Sequence, residues 1–210
     1  MKVLLVNGSS HKNGCTYTAL KEVEKVLNDE GIDTEIYWIG IKAISGCMGC
    51  RRCILKKQCI IDDKVNEFVD MASDYDGFIF GTPVFYASAS GSLISFMDRA
   101  FYSSSCSGKR VFNYKPAASI CSARRSGTTA TFDQLNKYFA ISEMPIVSSR
   151  YWNMVHGNTP DEVKQDEEGM QVMRILGHNM AYILKCIDVG RKNNIKLVKE
   201  DEIVLTNFIR

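Results

Sequence analysis

The sequence predicts an α/β fold in which helices cover both faces of a five-stranded parallel sheet. Five short apolar runs alternate along the chain with segments of helical periodicity, and this alternation is typical of parallel sheets. The chain has 210 residues, 45% of them hydrophobic, which is enough for a substantial core. We therefore expect one domain over residues 1–190, followed by a C-terminal extension over residues 191–210.

Three strands and two helices are predicted in the first part of the chain. The strands are predicted at residues 2–7, 33–39 and 76–80. Each is a short run that is apolar or that alternates apolar with polar side chains. Residues 17–30 and 64–73 instead carry apolar side chains at the spacing of one helix face. This order predicts strand, helix, strand, helix, strand.

Two further strands and three helices are predicted in the remainder. The strands are predicted at residues 117–121 and 144–147, and the helices at residues 92–102, 131–139 and 168–189. The last helix is long enough to return across the sheet. Residues 203–205 are apolar again and predict either a loosely held tail or an added β-ribbon.

Charge and hydrophobic runs limit the partners and the compartment. Lys and Arg number 26 against 24 Asp and Glu, so a net charge of +2 gives no general attraction to nucleic acid or to an anionic membrane. No apolar run approaches the roughly 18 residues of a membrane helix, and the N-terminal run is too short for a secretory signal. We expect a cytoplasmic protein with no nucleic-acid or membrane partner, in which cysteines are ligands or free thiols.

A cysteine-rich loop, the cysteine segment at residues 47–59, follows the second predicted strand. It contains Cys47, Cys50, Cys53 and Cys59, in the pattern C-x2-C-x2-C-x5-C. Closely spaced thiolates of this kind can ligate a 4Fe–4S cluster. Structural zinc usually uses two cysteine pairs separated by a longer spacer, so zinc is less favoured, and free or oxidised thiols remain a third reading.

Three unusual loops follow the first, third and fourth predicted strands. Because parallel strands end at one edge of the sheet, these loops should face one site. Residues 8–16 offer hydroxyls and backbone N–H groups at a helix start, which suits a phosphate. Residues 81–91 place a proline beside two aromatic side chains, and residues 121–129 combine small residues with two arginines. These features suit a flat ring that carries negative charge when reduced.

The three loops together resemble a known family. The segments GSSHKNGCT, TPVFYASASGSLISFMDR and CSARRSGTT are similar to the FMN loops of the NADPH-dependent FMN reductase family of flavodoxin-like proteins. The cysteine segment, followed by residues 60–63 (IIDD), resembles the iron–sulfur flavoprotein branch. This resemblance implies a flavodoxin-like fold with strand order 2-1-3-4-5, bound FMN, and assembly as a homodimer or homotetramer. Residues 151–171 look like an insertion specific to this member, most simply a packed surface loop.

The resemblance also implies which residues bind the cofactors. Positions around the phosphate match Ser9, Asn13, Gly14, Cys15 and Thr16; positions beside the flavin ring match Pro83, Val84, Phe85 and Tyr86; positions at its other edge match Ala123, Arg124, Gly127 and Thr128. Apart from the resemblance, Lys12 in the first loop can supply positive charge to the phosphate. The cluster ligands would be the four cysteines of the loop. The first loop departs from the family pattern at Ser10, His11 and Cys15, where proline, arginine and asparagine are common.

The expected function is electron transfer through FMN. No residue is predicted to act as a catalytic acid or base, because the flavin carries the chemistry. With the cluster in place, a ferredoxin-like protein would be the donor; without it, NAD(P)H would reduce FMN directly and a quinone or another flavin would accept the electrons. The alternative from another class is a noncatalytic redox sensor or zinc-stabilised binding module built on the same cysteine loop.

Overall fold

A central parallel sheet organises the protein in the computed structural model, which describes residues 1–197, 204, 206 and 208. Its strands are β1 (Lys2–Asn7), β2 (Asp33–Trp38), β3 (Gly77–Phe85), β5 (Ala117–Ala123) and β6 (Met154–His156), in the order β2-β1-β3-β5-β6. The short strand β4 (Ser88–Ala89) pairs antiparallel with the end of β3. The predicted fold class and strand order are confirmed, although the segment that forms the last parallel strand differs from the predicted one.

Helices lie on both faces of this sheet. They are α1 (Cys15–Asp29), α2 (Cys53–Lys56), α3 (Lys64–Met71), α4 (Gly91–Ser107), α5 (Thr128–Ile141), α6 (Pro160–Gln165) and α7 (Glu167–Lys192), with a 3₁₀ turn at Ala72–Asp74. Alternate residues of β1 face opposite cores: Leu4 and Val6 pack with α3, α4 and α5, whereas Val3 and Leu5 pack with α1 and α7. Each predicted helix is present, with ends shifted by at most five residues.

The predicted strand at residues 144–147 is wrong. Ile146 makes only an isolated bridge to Ala117, because the chain then turns toward α7. There the Ser148 carbonyl accepts from Asn179 Nδ2 at 2.7 Å, and Ser149 Oγ donates to the Val172 carbonyl at 2.7 Å. The strand beside β5 is Met154–His156 instead.

Residues 151–171 are therefore part of the fold and not a surface insertion. They contain β6, α6 and the start of α7, and the side chains of Asn153 and Val155 are buried. Thr159 caps α6, and Asp166 caps α7 by accepting from the Gly169 N–H at 2.9 Å.

Two remaining features are membrane-spanning helices and the C-terminal extension. Within the described residues, no helix is long and apolar enough to cross a membrane. Residues 203 and 205, on which the choice between a tail and a ribbon depends, lie outside the described residues. The C-terminal extension therefore stays a prediction.

Candidate functional site

A cleft of about 820 Å³ opens at the carboxyl ends of β1, β3, β5 and β6, a size that suits a small-molecule site. The predicted residues that line it are Ser9, Lys12, Asn13, Gly14, Cys15, Thr16, Pro83, Val84, Phe85, Ala123 and Arg124. The three loops singled out in the sequence thus meet at one site. It lies at the edge where β1 and β3 run side by side, the switch point at which open α/β sheets bind ligands.

The first loop presents an open helix N-terminus to the cleft. Gly14 is the N-cap of α1 and supplies no side-chain hydrogen bond, and the first turn contains no acidic residue. The first backbone N–H groups of a helix have no partner inside it, and the helix dipole is positive at this end. The loop itself is fixed, because the Ser9 N–H donates to Asn7 Oδ1 at 3.0 Å and the His11 N–H donates to Ser9 Oγ at 3.1 Å. This arrangement suits a phosphate.

Lys12 adds positive charge at the mouth of the same loop. Its side chain is exposed, and its Nζ lies 5.8 Å from the ring centroid of Trp38. The Trp38 ring is itself held by its Nε1–H, which donates to the Ser9 carbonyl at 2.7 Å. A cation over an aromatic face is attracted to it, so the Trp38 ring holds the Lys12 ammonium close to the first loop.

Buried hydroxyls join the loops beneath the cleft. Thr16 Oγ1 and Ser122 Oγ are hydrogen-bonded at 2.8 Å, which links α1 to β5. Ser90 Oγ donates to the Gly8 carbonyl at 2.7 Å, and the Gly8 N–H donates to the Gly81 carbonyl at 2.8 Å. A Cβ at Gly8 would lie 2.9 Å from that carbonyl oxygen, so only glycine allows this approach. The floor of the cleft is therefore rigid.

The second loop forms a tight hairpin between β3 and β4. Tyr86 and Ala87 at its tip have φ values of +52° and +56°, a conformation that turns of this kind require and that usually takes Asn and Gly. Gln134 Oε1 of α5 anchors the hairpin by accepting from the Ala89 N–H at 3.0 Å. Phe85 lines the cleft, whereas Tyr86 is fully exposed at the tip and is not among the lining residues.

We expect Ala87→Gly to raise the free energy of unfolding by about 0.5–1 kcal/mol, because it relieves the strain of an L-residue in the left-handed region. The matched control is Ala140→Gly at an exposed position in the last turn of α5, which should lower that free energy by less than about 1 kcal/mol. Urea unfolding of the two variants measures both values. A loss of stability in Ala87→Gly would contradict the hairpin geometry.

The third loop contributes both lining and supporting residues. Ala123 and Arg124 line the cleft, whereas Gly127 and Thr128 do not. Gly127 has a φ of +94°, and a Cβ on it would lie 2.8 Å from Ala87 Cα and 3.0 Å from Val84 Cγ1. Thr128 is buried at the start of α5. Gly127 and Thr128 therefore shape the loops that bound the cleft.

A fourth wall of the cleft was missed from the sequence. It consists of Gly157, Asn158, Thr159 and Pro160, after β6, and Ser10, His11 and Ser122 also line the cleft. Cys15 Sγ contacts the Gly157 carbonyl at 3.7 Å, and burial raises the pKa of this thiol. The turn and N-cap residues in this wall are a recognisable helix-start signal. This signal places the four residues at the cleft only when residues 154–156 form the strand that precedes them.

The cysteine segment forms a second, separate recess against α4. All four of its cysteines line this recess, together with Met48, Ile60, Ile61, Arg99, Tyr102 and Ser103. Cys53 is buried at the start of α2, whereas Cys47 and Cys50 are exposed. Burial raises the pKa of the Cys53 thiol, and the neighbouring Cys106 thiol adds to this shift. The recess and the cleft share no lining residue.

The donor set of this recess fits an iron–sulfur cluster in chemistry. Four thiols face one recess, and the buried Arg99 donates from Nε to Cys59 Sγ at 3.4 Å, which suits sulfur that carries negative charge. Within the described residues, however, no three Cys, His, Asp or Glu side chains are arranged to hold a metal ion. The predicted ligands share a recess, and their ligation of a cluster stays a prediction.

Comparison with known proteins gives a family and a fold. A model of NADPH-dependent FMN reductases matches residues 1–159. An iron–sulfur flavoprotein of Methanocaldococcus jannaschii is 30% identical to the chain over 193 residues, which cover 89% of this chain and 99% of that protein. The residues that the family model matches include all three cleft loops and the cysteine segment.

Two solved structures share the fold at low sequence identity. RosB, solved with bound 8-demethyl-8-formylriboflavin-5′-phosphate, has a TM-score of 0.70 at 12% identity and covers 100% of this chain and 94% of its own. A flavodoxin from the domain Archaea has a TM-score of 0.58 at 14% identity and covers 88% of this chain and 99% of its own. The predicted flavodoxin-like fold is confirmed.

Proposed function

Because the chain belongs to the NADPH-dependent FMN reductase family, we propose that it binds FMN in the cleft and exchanges electrons with a 4Fe–4S cluster on the cysteine segment. The enzyme is a flavin-dependent oxidoreductase. The observation that carries the proposal is the convergence of three loops and an uncapped helix N-terminus on one cleft. When bound, FMN supplies the hydride and single-electron chemistry.

Each wall of the cleft has a proposed role. The N–H groups at the start of α1 and the ammonium of Lys12 bind the phosphate, with Ser9, Asn13, Gly14, Cys15 and Thr16 forming that loop. Pro83, Val84 and Phe85 form a stiff surface for the flavin ring, and Ala123 and Arg124 bound its other edge. Tyr86, Gly127 and Thr128 do not line the cleft. Tyr86 shapes the hairpin between β3 and β4, and Gly127 and Thr128 shape the third loop. The guanidinium of Arg124 stabilises negative charge at the ring.

The cluster is proposed to be held by Cys47, Cys50, Cys53 and Cys59, and it would supply single-electron transfer. The shared recess and the Arg99 contact to Cys59 support this assignment. In the cluster-free alternative, NAD(P)H reduces FMN directly, which the family membership favours. Family membership also favours a flavoenzyme, with or without the cluster, over a zinc-stabilised binding module.

The surface around the cysteine recess supports an acidic protein donor of ferredoxin type. Arg51, Arg52, Lys56 and Lys57 are all exposed there, beside the exposed apolar side chain of Leu55. Opposite charge on a partner speeds its encounter with such a surface, and the effect weakens with salt.

The test is charge reversal on this surface. We expect Arg52→Glu combined with Lys56→Glu to slow reduction of the protein by a reduced acidic ferredoxin about tenfold or more at low ionic strength. If NADPH reduces the unmodified protein, as in the cluster-free alternative, the double variant should react with NADPH at the same rate. Lys25→Glu, on the exposed side of α1, is the control. Stopped-flow measurement of flavin reduction gives each rate; a double variant that reacts normally with the ferredoxin would contradict the proposed donor surface.

We also propose a homodimer or homotetramer. Tyr151 and Trp152 are each half-exposed beside β6, with ring centroids 4.8 Å apart. Exposed aromatic pairs of this kind are enriched in subunit interfaces.

A further inference from the structure

We propose that Arg99 is the positioning residue of the cysteine site: it ties both ends of the cysteine segment to α4 and places positive charge on Cys59 Sγ. The side chain is 1% exposed, in a helix whose other inward residues are mainly apolar. The electrostatic role of Arg99 rests on the proposed cluster, because its test measures the cluster potential. The positioning role is argued only from the contacts of Arg99.

All five N–H donors of the Arg99 guanidinium have acceptors. Nε donates to Cys59 Sγ at 3.4 Å. Nη1 donates to Asp63 Oδ2 at 2.6 Å and to the Ser45 carbonyl at 3.5 Å. Nη2 donates to Asp63 Oδ1 at 2.8 Å and to the Ile61 carbonyl at 2.9 Å. One side chain thus contacts Ser45, which precedes Cys47, and three residues between positions 59 and 63.

The backbone of Cys59 is held independently by Asn66 of α3. The Cys59 N–H donates to Asn66 Oδ1 at 3.1 Å, and Asn66 Nδ2 donates to the Cys59 carbonyl at 2.9 Å. Asn66 is buried. Cys59 thus has its backbone fixed by α3 and its sulfur contacted by Arg99, whereas Cys47 and Cys50 are exposed.

General stability does not explain a buried guanidinium here. The cost of removing an ion pair from water largely offsets its attraction, so such a pair adds little net stability compared with an apolar side chain. Its specific effect is the bond to sulfur, since hydrogen bonds and charge at cluster sulfurs set the reduction potential. Asp63 neutralises part of the guanidinium charge and thereby limits that effect.

Opposing variants separate an electrostatic role from a merely structural one. Arg99→Met removes the positive charge and the N–H donor, so the reduced cluster loses stabilisation and its potential should fall. Asp63→Asn leaves the guanidinium charge uncompensated, and asparagine can still cap α3, so the potential should rise. We expect each change to alter the ratio of reduced to oxidised cluster about tenfold, which corresponds to about 59 mV for one electron.

The experiment uses the full chain, purified without oxygen, in the unmodified form and as Arg99→Met, Asp63→Asn and Arg99→Lys. Arg174→Met, which breaks an exposed pair with Glu22, is the control. Potentiometric titration gives the cluster potentials, and hydrogen exchange reports on residues 45–61. Exchange there should be at least about tenfold faster in Arg99→Met and unchanged in Arg174→Met. Arg99→Lys keeps the positive charge but loses the planar set of N–H donors. It should therefore speed exchange at residues 45–61 while shifting the cluster potential less than Arg99→Met does.

The outcomes separate the two proposals. If the unmodified protein contains no iron, the cluster proposal fails, and hydrogen exchange alone decides the positioning role of Arg99. Potentials of Arg99→Met and Asp63→Asn that shift in the same direction, or not at all, would overturn the electrostatic role. Unchanged exchange at residues 45–61 in Arg99→Met would overturn the positioning role. If Arg99→Met does not fold, Asp63→Asn and Arg99→Lys carry the same test.

Discussion

Gly127→Ala is expected to weaken FMN binding at least about tenfold, which corresponds to about 1.4 kcal/mol. The new Cβ would lie 2.8 Å from Ala87 Cα, a backbone atom that cannot move without shifting the hairpin between β3 and β4. That hairpin follows Pro83, Val84 and Phe85, which form the proposed surface for the flavin ring. Titration of the flavin-free protein with FMN, followed by flavin fluorescence, measures the dissociation constant.

Gly108→Ala is the matched control for this substitution. Gly108 ends α4 with a φ of +78°, and nothing lies within 4 Å of a Cβ built on it. This variant has a comparable backbone strain, about 1–2 kcal/mol, without the contact to the hairpin. Its FMN dissociation constant should equal that of the unmodified protein. Equal loss of FMN affinity in the two variants would mean that general destabilisation, and not the hairpin, is responsible.

Cys50→Ser is expected to remove the cluster and to leave FMN in place. Cys50 is exposed, so serine causes no packing defect, but a serine hydroxyl replaces one of the four thiolates proposed to ligate iron. The flavin should stay because the cysteine recess and the cleft share no lining residue. Iron and sulfide per chain should fall to less than about a tenth of the unmodified values, since incomplete ligation exposes the cluster to loss.

Cys186→Ser controls for the loss of an exposed thiol, because Cys186 lies on α7, outside the cysteine segment. It should keep both iron and FMN. If Cys50→Ser also retains its iron, Cys50 is not a ligand. If the unmodified protein contains zinc in place of iron and sulfide, the structural zinc alternative replaces the cluster.

The sequence alone predicts most of the sheet and three walls of the cleft. Local patterns were sufficient there: β1 is one short apolar run that ends at Gly8, and its loop leads directly into α1. The resemblance to the FMN reductase family, and to its iron–sulfur flavoprotein branch, is confirmed by the family model and by the relatives of that name. Residues that are close in sequence, such as Ser9 to Thr16, could be assigned to one wall without knowledge of the fold.

The errors come from contacts between distant parts of the chain. Residues 144–147 have the composition of a strand, but Ser148 and Ser149 are held by α7, and β6 pairs with β5 instead. The fourth wall after β6 was missed for the same reason. No local pattern marks Arg99 as buried, and only the fold brings Asp63 and Cys59 to it. Pairing across about 40 residues leaves no local pattern.

The most direct test of the account is the composition of the protein purified without oxygen. We predict one FMN per chain, released on denaturation and quantified by its absorbance, together with four iron and four sulfide per chain by chemical analysis. Flavin without iron or sulfide would contradict the cluster proposal, whereas the assignment as an FMN-dependent oxidoreductase would stand. A protein that contains no flavin and does not bind added FMN would contradict the central claim that the cleft at the carboxyl edge of the sheet is a flavin site.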